Sequence, residues 1–223
     1  MRKLVLGLAA ATALSFASGA NATVLVASAT GVAPSGMPAG TQGSLLASQS
    51  FTGTAFTFSG TFNQAVYRNT LGTLDFYFQV LRTGAGSISD NPIQSFTVAN
   101  YGNFVVDVFT VLTDPDAGGI FVAANNGTPV TTFGRTNDGN VLSANFGANP
   151  LTGTENSETV IYRTSATTYG LGTFGVIDGS TLQGLTYAPA VPEPATWAMM
   201  LVGFGGIGLA MRRRRKPALA QLA

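Results

Sequence analysis

The chain has 223 residues, with 11 lysines and arginines against 10 acids, 28 glycines, no cysteine and no histidine. The missing histidine excludes Ser-His-Asp and Cys-His catalysis and histidine-ligated zinc or copper, and the missing cysteine leaves stability to burial and backbone pairing. The formal charge of +1 hides an asymmetry: residues 23–190 hold four arginines, no lysine and nine carboxylates, a balance of −5 that argues against a nucleic-acid or anionic-membrane surface.

Met1-Arg2-Lys3 is a short basic region, Leu4–Phe16 an apolar one, and Ala20-Asn21-Ala22 places small residues at −3 and −1 of a cleavage site after Ala22. That order predicts a secretory signal peptide over residues 1–22. Behind it, residues 23–188 have a length suited to one domain.

Thr23–Ala27 is apolar and predicts a first strand, whereas Ala29–Gly43, with Pro34, Gly36, Pro38 and Gly40, predicts a loop. Phe56, Phe58 and Phe62 share one parity with Thr57, Ser59 and Thr61 between them, the alternation of a half-buried strand. Leu74–Val80 is the clearest strand, with Leu74, Phe76, Phe78 and Val80 facing one way and Asp75, Tyr77 and Gln79 the other. Ser95–Val98 follows, then Phe104–Leu112, apolar enough for a strand covered on both faces. Asp114-Pro115-Asp116 with Gly118-Gly119 turns the chain into Ile120–Ala123. Asn125-Asn126-Gly127 and Asn137-Asp138-Gly139-Asn140 tolerate positive φ and predict tight turns around Val130–Phe133 and Val141–Phe146. Glu158–Thr164, Tyr169–Ile177 and Leu182–Tyr187 complete the series, the last two joined through Asp178-Gly179-Ser180, and Ala188–Val191 reads as a linker. About ten short strands separated by turns, with no sustained helical period, predict an all-β antiparallel β-sandwich, jelly-roll or immunoglobulin-like. A β-helix is the alternative, without a fixed repeat to support it.

Candidate chemistry in this domain is sparse. Asp114 and Asp116 place two carboxylates in one loop, a weak calcium candidate without EF-hand spacing, and turn formation explains them equally. Glu155 and Glu158 could serve glycoside hydrolysis only as a pair held ~5–9.5 Å apart, but both lie in or beside a polar loop, so no enzyme and no cofactor are expected. Tyr77, Tyr101, Tyr162 and Tyr169 are the aromatics available to stack on sugar. The Thr-rich stretch Thr52–Thr61 lacks the regular Thr array of an ice-binding surface, since Phe alternates with its polar positions.

The tail from 189 to 216 has its own grammar. A linker leads to Pro192-Glu193-Pro194 and then Trp197-Ala198. The stretch 195–211 carries no charge, and Arg212, Arg213, Arg214, Arg215 and Lys216 follow in a row before a short extension, 217–223. As a helix, 17 residues span roughly 25 Å, slightly short of a ~30 Å hydrocarbon core, and predict one C-terminal transmembrane helix with cytoplasmic cations. Pro192-Glu193-Pro194, Trp197, Ala198 and the glycine-rich segment around Gly203-Phe204-Gly205 resemble the PEPxxWA variant of the PEP-CTERM sorting signal. The resemblance implies an exosortase-type membrane protease-transpeptidase as partner. It also implies an inner-membrane intermediate before processing, with delivery to the cell surface or extracellular matrix, where exopolysaccharide is a further possible partner. A plain membrane anchor explains the helix and the cations but not the spaced Pro-Glu-Pro and Trp-Ala. The expected role is structural or adhesive, with a carbohydrate-binding module or a plainly anchored periplasmic domain as alternatives.

Overall fold

The structure, a computed structural model, describes residues 23–125, 130–191 and 194–214. The signal peptide with Ala20 and Ala22, the turn residues Asn126 and Gly127, Pro192, Glu193, Arg215, Lys216 and the extension 217–223 lie outside the described residues.

Strands are the main regular structure of the described residues, as recurring Phe, Val and Thr between Gly, Asn and Asp clusters dictate. The first five are β1 (Thr23–Val24), β2 (Ser35–Gly36), β3 (Ser44–Thr54), β4 (Phe58–Arg68) and β5 (Leu74–Ala85). Next come β6 (Ser95–Ala99), β7 (Val106–Val111), β8 (Thr132–Arg135) and β9 (Val141–Asn145). The last are β10 (Thr159–Thr164), β11 (Thr168–Asp178) and β12 (Ser180–Ala190), before a single helix, α1 (Pro194–Arg214).

Two sheets form an all-β sandwich. One follows the order β1-β7-β10-β5-β4-β3 with β2 beside β7; the other has five strands in the order β12-β11-β6-β9-β8. All pairings between strands are antiparallel except the short β2–β7 contact. Two of the expected turns fall where the sequence places them. Gly139 at φ 69° closes β8–β9, and Gly179 at φ 56° closes β11–β12.

Phe58, Phe62, Phe76, Phe78, Phe96 and Phe174 interlock between the sheets, with Phe62 stacked on Phe174 at 4.1 Å and on Phe78 at 5.6 Å. Edge-to-face and offset rings of this kind add to the area they bury. Gln64 lies fully buried among them. Its amide donates to the Leu185 carbonyl (3.1 Å) and accepts from the Tyr187 N–H (2.7 Å) and the Thr186 hydroxyl (2.6 Å), so one side chain of the first sheet takes the place of a neighbouring strand for β12.

The first sheet differs from expectation on its other face. Asp75, Tyr77 and Gln79 do not face water; all three are fully buried. A second apolar cluster of Tyr67, Tyr77, Phe109, Phe121 and Ile161 lies there. The irregular segment 112–125, for which a strand at Ile120–Ala123 was expected, covers this face without pairing as a strand. Two buried amides pin it. Asn63 donates to the Ile120 carbonyl (2.5 Å), while Gln79 donates to the Val122 carbonyl (2.6 Å) and accepts its N–H (3.1 Å). Asp75 is held by both Arg163 nitrogens facing it (Nε 3.0 Å, Nη2 2.8 Å) and by Asn69 (2.6 Å), which makes a buried carboxylate tolerable.

Three further boundaries shift. Phe56 lies outside the strands, 64% exposed in the turn between β3 and β4, because the Ala55 N–H closes on the Phe58 carbonyl at 2.8 Å. The hairpin partner β3 is an 11-residue strand, and most of it lies between the loop expected to end at Gly43 and the Thr-rich stretch from Thr52, where no element was expected, since Ser, Gln and Ala carry no apolar period. The strand expected up to Tyr187 runs to Ala190, where β11 pairs with it as far as Thr168, so the linker is shorter than the 188 boundary implies.

Phe78→Ala should destabilise the domain by ~3–5 kcal/mol in urea unfolding, the usual cost of emptying a fully buried Phe site. Gln79→Ala should cost about 1–3 kcal/mol by orphaning backbone groups of Val122 and Ser157, and should speed amide exchange at Val122 ahead of the β5 amides.

Candidate functional site

The tail is set apart from the sandwich. Beyond Ala190 the exposed Val191 leads to α1, which opens on Pro194, a residue suited to the first helical position because its φ is already helical and its missing N–H would have no partner there. Trp197 and Ala198 fall in the first turns, and Arg212, Arg213 and Arg214 in the last, where the helix dipole favours cations. The large apolar side chains between them, among them Met199 (73% exposed), Leu201, Val202, Phe204, Ile207 and Leu209, have no cover. Gly203, Gly205, Gly206 and Gly208 have open space where a Cβ would stand, so nothing in the described chain requires them to be glycine. An apolar helix with no buried face needs an environment other than water.

Its membrane-spanning expectation needs correction: among the described residues no helix is long and apolar enough to cross a membrane. The helix has 21 residues, but arginines occupy its end and four glycines dilute its apolar stretch, leaving it weaker than a self-sufficient span.

Residues 190–215 are a PEP-CTERM protein-sorting motif. The motif begins on the last residue of β12 and ends one residue beyond α1, so it coincides with the physically separate part of the chain. A PEP-CTERM motif implies export and sorting to the surface, and such signals are recognised by exosortase, a membrane enzyme. No curated protein and no solved structure matches the chain.

The candidate residues of the β-domain are structural in their surroundings. Asp114 accepts the Asp116 N–H at 2.9 Å, and Asp116 accepts the N–H of Ile120 (3.3 Å) and the Tyr67 hydroxyl (3.5 Å). Burial, then the neighbouring Asp114, pushes the Asp116 carboxyl upward. Its carboxylate occupies the space where a Cβ at position 119 would stand, so a side chain there would have to displace Asp116 from these bonds. The pair thus anchors the covering segment. Among the described residues no three His, Cys, Asp or Glu side chains gather as a metal site would require.

Glu155 and Glu158 are separated in role. Glu155 accepts the Thr152 N–H (2.6 Å) and hydroxyl (3.0 Å) in a surface turn. Glu158 is 4% exposed and accepts the Val130 N–H at 3.4 Å, and burial raises its carboxyl above the ordinary range. Of the four tyrosines, Tyr77, Tyr101 and Tyr162 are fully buried. Tyr169 is 38% exposed but meets Tyr187 edge-on at 87°, so the two rings do not make a flat platform. A groove of about 610 Å³ on the outer face of the five-stranded sheet is lined by Thr97, Thr173, Thr181, Gln183, Ile177 and Leu185 among others, with no carboxylate in its lining.

The domain's four arginines are spent internally. Arg135 donates to the carbonyls of Leu25, Tyr101, Phe104 and Gly139 at 2.8–2.9 Å, and Arg82 pairs with Asp90. Arg163 holds Asp75, while the exposed Arg68 reaches the Gly72 carbonyl at 3.1 Å. The buried amides Asn63, Gln64 and Gln79 were not singled out by sequence. Adjacent Asn63-Gln64, which puts an amide on each face of β4, is the signal that would have found the first two, whereas Gln79 follows the regular polar parity of β5.

A carboxyl raised by burial favours the fold most at acid pH, and that contribution is lost as pH rises through its folded value. Glu158→Gln should therefore raise Tm most at neutral pH, with the difference from wild type shrinking as pH falls toward the unfolded carboxylate range near 4.5. Thermal scans at several pH values check this.

Proposed function

We propose that this is an exported surface or extracellular-matrix protein whose β-domain has a structural or adhesive, non-catalytic role and whose tail is its address. The observation that carries the reading is the sorting motif at residues 190–215, lying wholly beyond the body of the sandwich. Exosortase is the processing partner. The uncovered apolar helix supports it, because a helix too weak to span alone gains most from a protein groove inside the membrane, and its bare glycines permit close helix contact. The arginines at its end hold the helix at the cytoplasmic interface, and export precedes processing near Pro192-Glu193-Pro194.

The non-catalytic reading is supported by carboxylates committed to turns and buried bonds. Carbohydrate binding in the exopolysaccharide matrix loses its stacking platform, because three of its four candidate rings lie in the interior. Any such binding falls to the Thr-lined groove, where hydroxyl and amide hydrogen bonds alone would hold a sugar.

Mass spectrometry of the mature protein from its native host is expected to find chains beginning near Thr23 and ending near Pro192-Glu193-Pro194. Replacing Trp197 together with the three motif residues should leave a membrane-associated, unprocessed chain with an unchanged unfolding midpoint. An intact C-terminus through Ala223 on the wild-type protein would reduce the tail to a plain anchor.

A further inference from the structure

An exposed sheet edge is a row of unpaired N–H and C=O groups, and folded chains usually pair it, cover it or guard it with charge or proline. This sandwich has four edges; among the described residues the chain itself bonds along two of them and caps part of a third. The outer side of β8 is bonded by the segment before β2: Val32 and Phe133 exchange N–H···O bonds at 3.0 and 2.8 Å, and Arg135 donates to the Ala29 carbonyl at 2.8 Å. The outer side of β7 takes up β1, β2 and the Leu25 N–H at 2.8 Å. On β12 the Gln64 amide occupies the Leu185 carbonyl and the Tyr187 N–H and Pro189 has no N–H to offer, while beside the hairpin the Thr57 hydroxyl takes the Asp178 carbonyl of β11 (2.7 Å).

The fourth edge is β3, 11 residues from Ser44 to Thr54 without a charge or a proline. The phase of its ladder follows from the 2.8 Å bond of the Ala55 N–H to the Phe58 carbonyl. Alternation then assigns Ala47, Gln49, Phe51 and Gly53 to bonds with β4 and turns the N–H and C=O of Ser48, Ser50, Thr52 and Thr54 outward. The side chains agree. Ser50 with Asn63 (2.7 Å), Thr52 with Thr61 (2.9 Å) and Thr54 with Ser59 (3.0 Å) have the close approach of non-hydrogen-bonded pairs. Among the described residues no backbone group bonds the outward groups of these four.

We propose that β3 is a self-association edge on which a second copy of this chain docks, β3 against β3, antiparallel about a two-fold axis. Such an axis makes each strand its own partner, so the demands on it are length, freedom from proline and no like charges meeting across the seam. β3 meets all three. Elsewhere a domain of charge −5 resists a second copy, whereas β3 and β4 together carry a single charge, Arg68, at the far end of the hairpin. Leu45 (50% exposed) and Leu46 (38%) lie on the open strand and gain cover from the partner. The product is one sheet continuous through two protomers. This stands apart from the sorting proposal, since processed and unprocessed chains both contain β3.

The test is sedimentation velocity on the protein as exported by its native host, across about 1–100 μM, the range in which a modest interface dissociates. The expected result is a reversible dimer, with amide exchange at Ser48, Ser50, Thr52 and Thr54 slowing as concentration rises. Ser48→Pro removes an outward N–H without touching a bond to β4, and Thr52→Lys sets like charges near the axis. Each should weaken association at least about tenfold with Tm unchanged. A monomer throughout the range overturns the proposal. So does a dimer that survives both substitutions, the behaviour of association through the uncovered α1. Open-ended growth abolished by substitutions in β12 would mean pairing of β3 with β12 of the next copy and would overturn the two-fold arrangement.

Discussion

The fold depends on burying the seven-stranded sheet on both faces while pairing the charged and amide groups of its central strand. The chain has no disulfide to fall back on, and its central strand β5 alternates Phe and Leu with Asp75, Tyr77 and Gln79. A sheet with one wet face would leave those residues to solvent. Here the segment 112–125 lies over them, so each must find a partner inside the protein, and each does so with a specific one: Arg163 and Asn69 for the Asp75 carboxylate, Val122 and Ser157 for the Gln79 amide. A buried ion pair of this kind stabilises little by itself, but losing one partner strands the other, so the arrangement fixes register more than it adds stability. Gln64 does the same between the sheets.

Much of the sandwich was legible because its determinants are local. Alternation in Leu74–Val80, Tyr169–Ile177 and the positive-φ turns at Gly139 and Gly179 reads directly as strand and hairpin. Burial of the polar parity was not legible, because it depends on a segment 30 to 50 residues away with no periodicity of its own. Tyr77 was therefore read as an available ring when it is a core residue, and Tyr101 and Tyr162 lie in the separate core between the sheets. β3 was missed for a related reason. Ser, Gln and Ala carry no apolar signal, and the strand exists because the hairpin at Ala55–Phe58 delivers it to β4.

The tail was the most readable part, since a sorting signal must be recognised as a linear pattern and its residues cannot be rearranged by folding. Its physical weakness, a glycine-diluted helix with no cover and no capacity to span a membrane alone, was the part that spacing misjudged. The two halves of the molecule also differ in charge. The arginines of the sandwich are turned into its carbonyls and carboxylates, while the tail carries Arg212, Arg213 and Arg214 in the last turn of its helix. Ala190 is the border between them.

That separation is tested most directly by unfolding the intact chain and a chain cut after Val191, both followed by near-UV circular dichroism in the same mild detergent. If the sandwich and the tail are independent, the two midpoints should agree within about 1 °C, since the cut removes no contact on which the β-domain depends. A fall of several degrees on removal of the tail would contradict the separation and make the helix part of the fold.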